Sequence, residues 1–355
     1  MVLTEEKALR HGIESMKGNK ISNKLLFSAC ICIPVVLVFV SLFIGRYPLS
    51  LTEVVTILQS GINSTTPGVS AIKHAVVWDM RMPRALMALT VGGALAVSGG
   101  ALQGVFRNPL VDSGLLGVSS GAGFGACLAI ILFDNILFTY ILAFAFGILA
   151  VVLSYVTGKI YKTAPTVTLV LGGVIISTIF AALISFTKYV ADPYEQLPAI
   201  TFWLMGSLSR ANYHDLAIAL VPILIGVTGI MLIRWRINLL SIGEREARTL
   251  GVNTALCRNI IIACTSLATA GAVCMSGIIG WIGLVIPHIG RMIVGNDNRI
   301  LLPLCIALGG SFLLIVDNIC RSLTAGEIPL GVLTALVGGP FYIYLLKKTK
   351  GGGGW

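Results

Sequence analysis

Residues 136–157 read ILFTYILAFAFGILAVVLSYVT, a run without a single charged side chain. A transmembrane helix needs about 17–25 such residues, so this segment is long enough to cross a bilayer. The whole chain has the same character, because 56% of its 355 residues are hydrophobic and 11% are charged. Soluble proteins carry about 25% charged residues. The composition excludes a soluble enzyme, a DNA-binding protein and a disordered scaffold, and it predicts an all-α integral membrane protein.

Ten apolar segments predict ten spans. They lie at about 25–45, 85–106, 114–133, 136–157, 167–187, 212–233, 257–276, 282–294, 300–320 and 329–346. The run that begins at residue 25 is too long for a signal-peptide core, so we interpret it as a retained first span. The segment 282–294 is short and contains Pro287, His288 and Arg291, which indicates a broken helix that other protein must cover.

The basic residues predict the orientation of these spans. With a cytoplasmic N-terminus, ten spans place both termini inside, and 18 of the 25 lysines and arginines then face the cytoplasm. The net charge of +10 comes from short clusters between apolar runs, which is not the pattern of a nucleic-acid-binding surface. The chain therefore divides into a cytoplasmic segment 1–24, a ten-span domain 25–350 and residues 351–355, a flexible tail or expression remnant.

A faint internal repeat accompanies this arrangement. The pattern Gly93-Ala94-x3-Ser98-Gly99 of the second span recurs as Gly271-Ala272-x3-Ser276-Gly277 in the seventh. The two spans cross the membrane in opposite directions, so spans 2–5 and 7–10 could form an inverted repeat, a common design in transporters. Chance matches between small residues in a glycine-rich chain explain the pattern equally well.

The sequence offers no centre for covalent chemistry. It contains no GxxxxGK[ST] phosphate loop, its eight cysteines form no CxxC pair, and its four histidines lack metal-ligand spacing. We therefore predict no catalytic residue, no metal site and no cofactor bound by this chain. Ionisable side chains are almost absent from the spans, which counts against an ion-coupled secondary transporter, the alternative from another functional class.

One cytoplasmic loop is far more polar than its surroundings. It runs from residue 234 to 258 and contains Gly243-Glu244-Arg245-Glu246-Ala247-Arg248, followed by Leu250-Gly251-Val252. This pattern predicts a short amphipathic helix that Gly251 ends, with Ala247 and Leu250 on one face. Because acids are mixed with the bases, we expect this helix to bind a soluble protein partner rather than an anionic membrane surface.

Several spaced motifs, taken together, resemble the FecCD family, the permease subunits of ABC importers for iron–siderophore complexes, haem and cobalamin. The resemblance extends from about Leu25 to Lys350. The motifs are Arg81-Met82-Pro83-Arg84, Gly93-Ala94-Leu95-Ala96-x-Ser98-Gly99-x3-Gln103, Asn108-Pro109-Leu110, Leu116-Gly117-Val118-Ser119-x-Gly121-Ala122, Trp203-x2-Gly206-Ser207, Gly280-x2-Gly283-Leu284-Val285-Ile286-Pro287-His288-x2-Arg291, Gly326-Glu327-Ile328-Pro329-Leu330-Gly331 and Gly338-Gly339-Pro340-Phe341, together with the polar loop. Trp281 departs from the family, which usually has Phe there.

The resemblance implies a transport subunit of the prokaryotic cytoplasmic membrane that is not itself an enzyme. Its implied partners are a second permease copy, two ATP-binding subunits on the cytoplasmic side and a substrate-binding protein on the outer side. No nucleic-acid partner is implied. The implied cargo is a metal chelate, with iron–siderophore first and cobalamin or haem as alternatives.

The resemblance also assigns roles to individual residues. It implies that Arg81, Arg84 and Arg321 face outward and pair with glutamates of the binding protein. Bidentate pairing with carboxylates suits arginine. The implied cytoplasmic gate consists of Asn108, Leu110, Thr166 and Val167. The implied coupling helix, which seats in the ATPase, contains Gly243, Glu244, Ala247, Leu250 and Gly251.

Overall fold

The computed structural model describes residues 23–61, 70–133, 135–158, 166–324 and 326–349, and within these ranges it contains helices and no strand. The helices are α1 (Asn23–Ser41), α2 (Leu51–Ser60), α3 (Ala71–Ala75), a π-helical turn (Val76–Arg81), α4 (Met82–Phe106), α5 (Val118–Leu132), α6 (Ile136–Gly158), α7 (Thr166–Val190), α8 (Gln196–Met205), α9 (Tyr213–Ile242), α10 (Glu244–Thr249), α11 (Thr254–Ser276), α12 (Ile282–Val294), α13 (Asn298–Leu323) and α14 (Leu330–Thr349). Residues 1–22 of the predicted N-terminal segment and the tail 351–355 lie outside the described residues.

The predicted all-α membrane fold is confirmed. Six helical runs among the described residues are long and apolar enough to cross a membrane: Ala71–Phe106, Ile136–Gly158, Val167–Val190, Tyr213–Ile242, Thr254–Ser276 and Asn298–Leu323. Four shorter apolar helical segments coincide with the other predicted spans: Ser28–Ser41, Val118–Leu132, Ile282–Val294 and Leu330–Tyr344. The count of ten spans and the cytoplasmic termini stay predictions.

Local sequence explains where several helices begin and end. Asn212, Asn253 and Asp297 immediately precede α9, α11 and α13, and each side chain accepts a hydrogen bond from a backbone N–H of the first turn. Gly277 follows α11 with a φ of +69°, a left-handed conformation that glycine adopts without steric cost. Polar caps and glycine stops therefore set the lengths of the apolar helices.

The helix of the second span begins earlier than its apolar pattern indicates. It starts at Ala71, where Ser70 accepts a hydrogen bond from Lys73 N, and it continues through the π-helical turn into α4. The π-helical turn ends at Arg81, two residues before Pro83, whose missing N–H interrupts the regular ladder of hydrogen bonds. In this turn the backbone N–H of Met82 donates to Val77 O, five residues earlier.

Glycines bring the backbones of α4, α12 and α13 into direct contact. A Cβ atom at Gly92 would lie 2.3 Å from the carbonyl oxygen of Gly309, and one at Gly99 would lie 2.1 Å from that of Gly283. No larger residue fits either place without moving a helix. Small residues at helix contacts allow this close approach, as is common in membrane proteins.

We expect Gly99→Ala to destabilise the protein, although alanine is the better helix former. The new methyl group would clash with the backbone of Gly283, and such overpacking typically costs about 1–3 kcal/mol. Gly280→Ala is the matched control, because a Cβ atom there meets nothing within 4 Å. Thermal unfolding in detergent should show a lower midpoint for Gly99→Ala alone, and equal midpoints for the two variants would contradict the contact.

The two motifs that suggested the inverted repeat occupy different local structures. Ser98 and Gly99 lie in the middle of α4, whereas Ser276 ends α11 and Gly277 follows it in a left-handed conformation. This pair of motifs is therefore not structurally equivalent at its last two residues, and the repeat stays a prediction.

Candidate functional site

An ionic cluster joins α4 to α13 and to the loop that follows α13. The Arg84 guanidinium donates from Nε to both carboxylate oxygens of Asp317, at 3.0 and 3.1 Å, and from Nη1 to Glu327 Oε1 at 2.9 Å. The Asp317 side chain is 1% exposed, and Arg84 provides the positive charge that compensates its buried carboxylate. The cluster therefore ties residues distant in sequence into one fixed arrangement.

Arg81 and Arg321 lie near the same cluster, but they are buried. Arg81 is 4% exposed and donates to Leu42 O at 2.5 Å and Tyr47 O at 2.6 Å. Arg321 is 7% exposed and donates to Ser41 O and Ser41 Oγ, both at 2.7 Å. The structure thus places the arginines at one end of the molecule, with Arg81 and Arg321 bonded to partners within the chain rather than exposed. Their docking role stays a prediction.

Glu327 is the most accessible acidic member of this cluster. Burial disfavours its charged form, but hydrogen bonds and the charge of Arg84 outweigh burial, and Arg46 and Arg321 add to the effect, so the pKa of Glu327 lies below its usual range. The pair therefore stabilises the fold above the ordinary carboxyl pKa. That contribution is lost as the pH falls through the lowered pKa.

The cytoplasmic loop forms the predicted short helix, α10. Glu244 at its start bonds Arg258 of α11, with 2.6 Å between Oε1 and Nη1, and Gly251 ends the turn with a φ of +80°. Ala247 is 0% exposed and packs inward, whereas Leu250 is 62% exposed. The prediction that Ala247 and Leu250 share one face is wrong, because the helix ends at Thr249 and Leu250 already lies beyond it.

Asn108, Leu110 and Val167 of the predicted gate are not among the residues that line the cavity near them. Asn108 accepts a hydrogen bond from Leu110 N at 2.9 Å, and both Leu110 and Val167 expose their side chains. The side chain of Thr166 lies outside the described residues. A few positions further along the two segments, residues line a cavity of about 540 Å³; they include Asp112, Ser113, Ser119, Ser120, Val174, Ser177 and Thr178. The hydroxyl groups of this lining are polar features that the sequence analysis missed, although Ser119 belongs to a quoted motif.

A second network fixes the short helix α12 against α4. Arg291 Nη1 donates to Gln103 Oε1 at 2.6 Å, and Gln103 Nε2 donates to Gly283 O at 3.0 Å. Pro287 and His288 are buried in the same helix. The helix runs without a break from Ile282 to Val294, so the predicted break is wrong, whereas the expected burial is observed for more than half of the segment. Among the residues that the structure describes, no group of three or more His, Cys, Asp or Glu could hold a metal ion.

Comparisons with known proteins converge on one kind of protein. The model of the FecCD transport family matches residues 33–348. The molybdate import system permease protein MolB of Haemophilus influenzae is 41% identical over 93% of this chain and 97% of its own. An iron chelatin transport system permease protein of Helicobacter pylori, named as probable, is 40% identical over 78% of this chain and 83% of its own. A solved inward-facing structure, assigned to the metal-chelate type of ABC transporter, has a TM-score of 0.82 at 39% identity and covers 92% of this chain and 99% of its own.

Proposed function

The chain belongs to the FecCD transport family, and from that membership we propose that it imports a metal complex, with an iron chelate as the first candidate cargo. It is a permease subunit of an ABC importer, a multi-pass protein of the cytoplasmic membrane without catalytic activity of its own. Such permeases work with ATPase subunits, so the energy for transport comes from a partner.

The short helix α10 is the observation that carries the proposed coupling. It is a charged segment on the predicted cytoplasmic side, anchored by buried Ala247 and by the Glu244–Arg258 ion pair, and it leaves Leu250 exposed. A rigid, anchored element can transmit a movement of the ATPase to α9 and α11, which it connects. We propose that Gly243, Glu244, Ala247, Leu250 and Gly251 form the coupling segment, with Leu250 as its apolar contact.

Iron chelate and molybdate are the two cargo candidates that the relatives support. The Helicobacter pylori relative carries iron chelatin in its name, and the Haemophilus influenzae relative carries molybdate and aligns with more of this chain. The identities of 40% and 41% do not separate them. Cobalamin and haem permeases at 37% and 38% identity support the further alternatives.

Uptake by a reconstituted importer tests both the class and the cargo. Proteoliposomes should contain the permease, its ATPase and its substrate-binding protein, without an ion gradient. We expect ATP-dependent uptake of an iron-55 siderophore complex that excess molybdate, haem and cobalamin do not compete away. Uptake of molybdate alone would replace the first cargo candidate with the second, whereas uptake that needs an ion gradient and no ATP would indicate a secondary transporter.

The outer ionic cluster supports a docking proposal. We propose that the substrate-binding protein docks where Arg81, Arg84 and Arg321 lie, and that its carboxylate exchanges with Glu327 for the Arg84 guanidinium. Arg84 can change partners there without leaving Asp317 uncompensated, because Asp317 bonds a different edge of the guanidinium.

The proposed gate requires a second permease copy. We propose that Asn108, Leu110, Thr166 and Val167 narrow the inner mouth of a path between two subunits. Cysteine at Leu110 or Val167 should then cross-link between subunits, and ATP should change the yield because a gate must change its width. Cysteine at exposed Leu132, near the predicted outer end of α5, is the control. Cross-linking that is absent, or equal with and without ATP, would contradict the gating role.

A further inference from the structure

A cavity of about 560 Å³ lies on the predicted outer side of the molecule, apart from every segment assigned above. Residues from the ends of α5, α8 and α11 and from the start of α6 line it. Arg210 and Phe202 belong to the lining and are exposed, so the cavity is open to the surface. Its volume is within the range of small-molecule sites in proteins.

The polar part of this cavity includes three side chains with hydrogen-bond donors that are not used within the chain. The Arg210 guanidinium has no hydrogen bond or ion pair with any other described residue. Asn135 accepts a bond from Leu137 N at 2.8 Å through Oδ1, which leaves its NH₂ group available. Ser209 Oγ accepts from Ser207 Oγ at 3.0 Å, so the Ser209 hydroxyl can still donate.

The described lining of this cavity contains one cation and no carboxylate. Asp215 lies close by, but its carboxylate accepts hydrogen bonds from Tyr140 Oη and Asn212 Nδ2, both at 2.9 Å. Asp134 separates two lining residues in the sequence and lies outside the described residues. The described donors and the arginine therefore favour an anionic group in the cavity.

Part of the lining is apolar and aromatic. It includes the rings of Phe133, Phe202 and Trp203 and the side chains of Ile130 and Met275. Aromatic side chains bind planar apolar groups over a large contact area. A small inorganic oxyanion would satisfy the donors but would leave this area without a partner. The donors and the aromatic residues together favour a ligand that has both an anionic group and a planar apolar group.

We propose that this outer cavity binds an anionic chelate with aromatic or other flat apolar groups, as the first site that the cargo occupies on the permease. The inference rests on the proposed function and deepens it by naming the chemical class of the cargo. Arg210, Asn135 and Ser209 hold the anionic oxygens, and Trp203 with Phe202 contacts the flat body. A phospholipid headgroup presents a similar anion, and the experiment separates the two ligands.

Equilibrium binding to the full-length permease in phosphatidylcholine nanodiscs tests this site. The probe is the iron-55 complex of three catechols, an aromatic anion, with molybdate as the comparison. We expect saturable binding of the tris-catecholate, about tenfold weaker in Arg210→Gln and weaker again in Trp203→Leu, with molybdate binding less tightly than the catecholate. The matched control is Arg46→Gln, an exposed arginine on the same predicted side that bonds Thr324 O and does not line the cavity.

Four outcomes would contradict the proposal that the outer cavity binds the chelate. They are no saturable binding, unchanged binding in Arg210→Gln, an equal loss in Arg46→Gln, and displacement of the catecholate by phosphatidylglycerol, which would make a lipid the better occupant. Uptake by the complete importer is measured on the same variants. Active uptake without Arg210-dependent binding would contradict this site alone, whereas loss of ATP-dependent uptake for every cargo in the wild type would contradict the proposed function.

Discussion

Arg84→Gln is expected to lower the free energy of unfolding by about 3–5 kcal/mol, the usual effect of removing one partner from a buried ion pair. The variant leaves the Asp317 carboxylate, which is 1% exposed, without its bidentate partner. Arg321 Nε is 3.9 Å from Asp317 Oδ2, too far for a hydrogen bond, and cannot replace the hydrogen bonds that Arg84 donates. The melting temperature in detergent and the fraction of monodisperse protein in size-exclusion chromatography measure the effect.

Two companion variants show that the loss comes from the unpaired charge. Arg46→Gln removes an exposed arginine near the same cluster and should leave the melting temperature nearly unchanged. Adding Asp317→Asn to Arg84→Gln removes the stranded carboxylate and should recover part of the stability, a coupling that a double-mutant cycle quantifies. Equal stability of Arg84→Gln and the wild type would show that the pair contributes nothing to the fold.

Leu250→Asp is expected to abolish ATP-driven uptake while the permease still folds. Leu250 is 62% exposed in the isolated chain, so a charge there meets water. At the proposed contact with the ATPase the same charge would be buried without a partner, at a cost of several kcal/mol, which corresponds to a more than hundredfold loss of affinity. Co-purification of the ATPase and uptake in proteoliposomes measure the loss.

Ala247→Asp, three residues away, is the contrasting control. Ala247 is 0% exposed and packs among apolar residues of the chain itself, so this variant should fail to fold rather than fail to couple. Leu250→Asp with normal uptake, or with the same folding defect as Ala247→Asp, would contradict the assignment of Leu250 as the contact.

The long apolar helices were predictable from the sequence because crossing a bilayer requires an apolar run of about 17–25 residues. Apolar runs located even the short segment 282–294, whose helix begins and ends at Ile282 and Val294. Helix starts outside the long apolar runs were less predictable. Lys73, His74 and Asp79 interrupt the extension from Ala71, α2 has only 10 residues, and side-chain caps at Ser50 and Ser70 fix where both begin.

The partners of the arginines could not be predicted, because the relevant contacts connect residues far apart in the chain. The family resemblance assigns Arg84 to a contact with the substrate-binding protein. Nothing in the sequence around Arg84 indicates that it pairs with Asp317. The face of Leu250 was mispredicted for a local reason, since helical spacing applies only to residues inside the helix. The outer cavity was missed because its lining comes from four helices and the loops next to them, none of which is polar enough to stand out.

The ion pair between α4 and α13 also has a consequence for synthesis. Asp317 follows Arg84 by 233 positions in the chain. At ribosomal rates of about 5–20 residues per second, that interval lasts roughly 10–50 s. During that time α4 has entered the bilayer with an arginine whose carboxylate partner does not yet exist. The insertion machinery therefore handles Arg84 as an unmatched cation for most of translation, and the arrival of the next-to-last helix neutralises it.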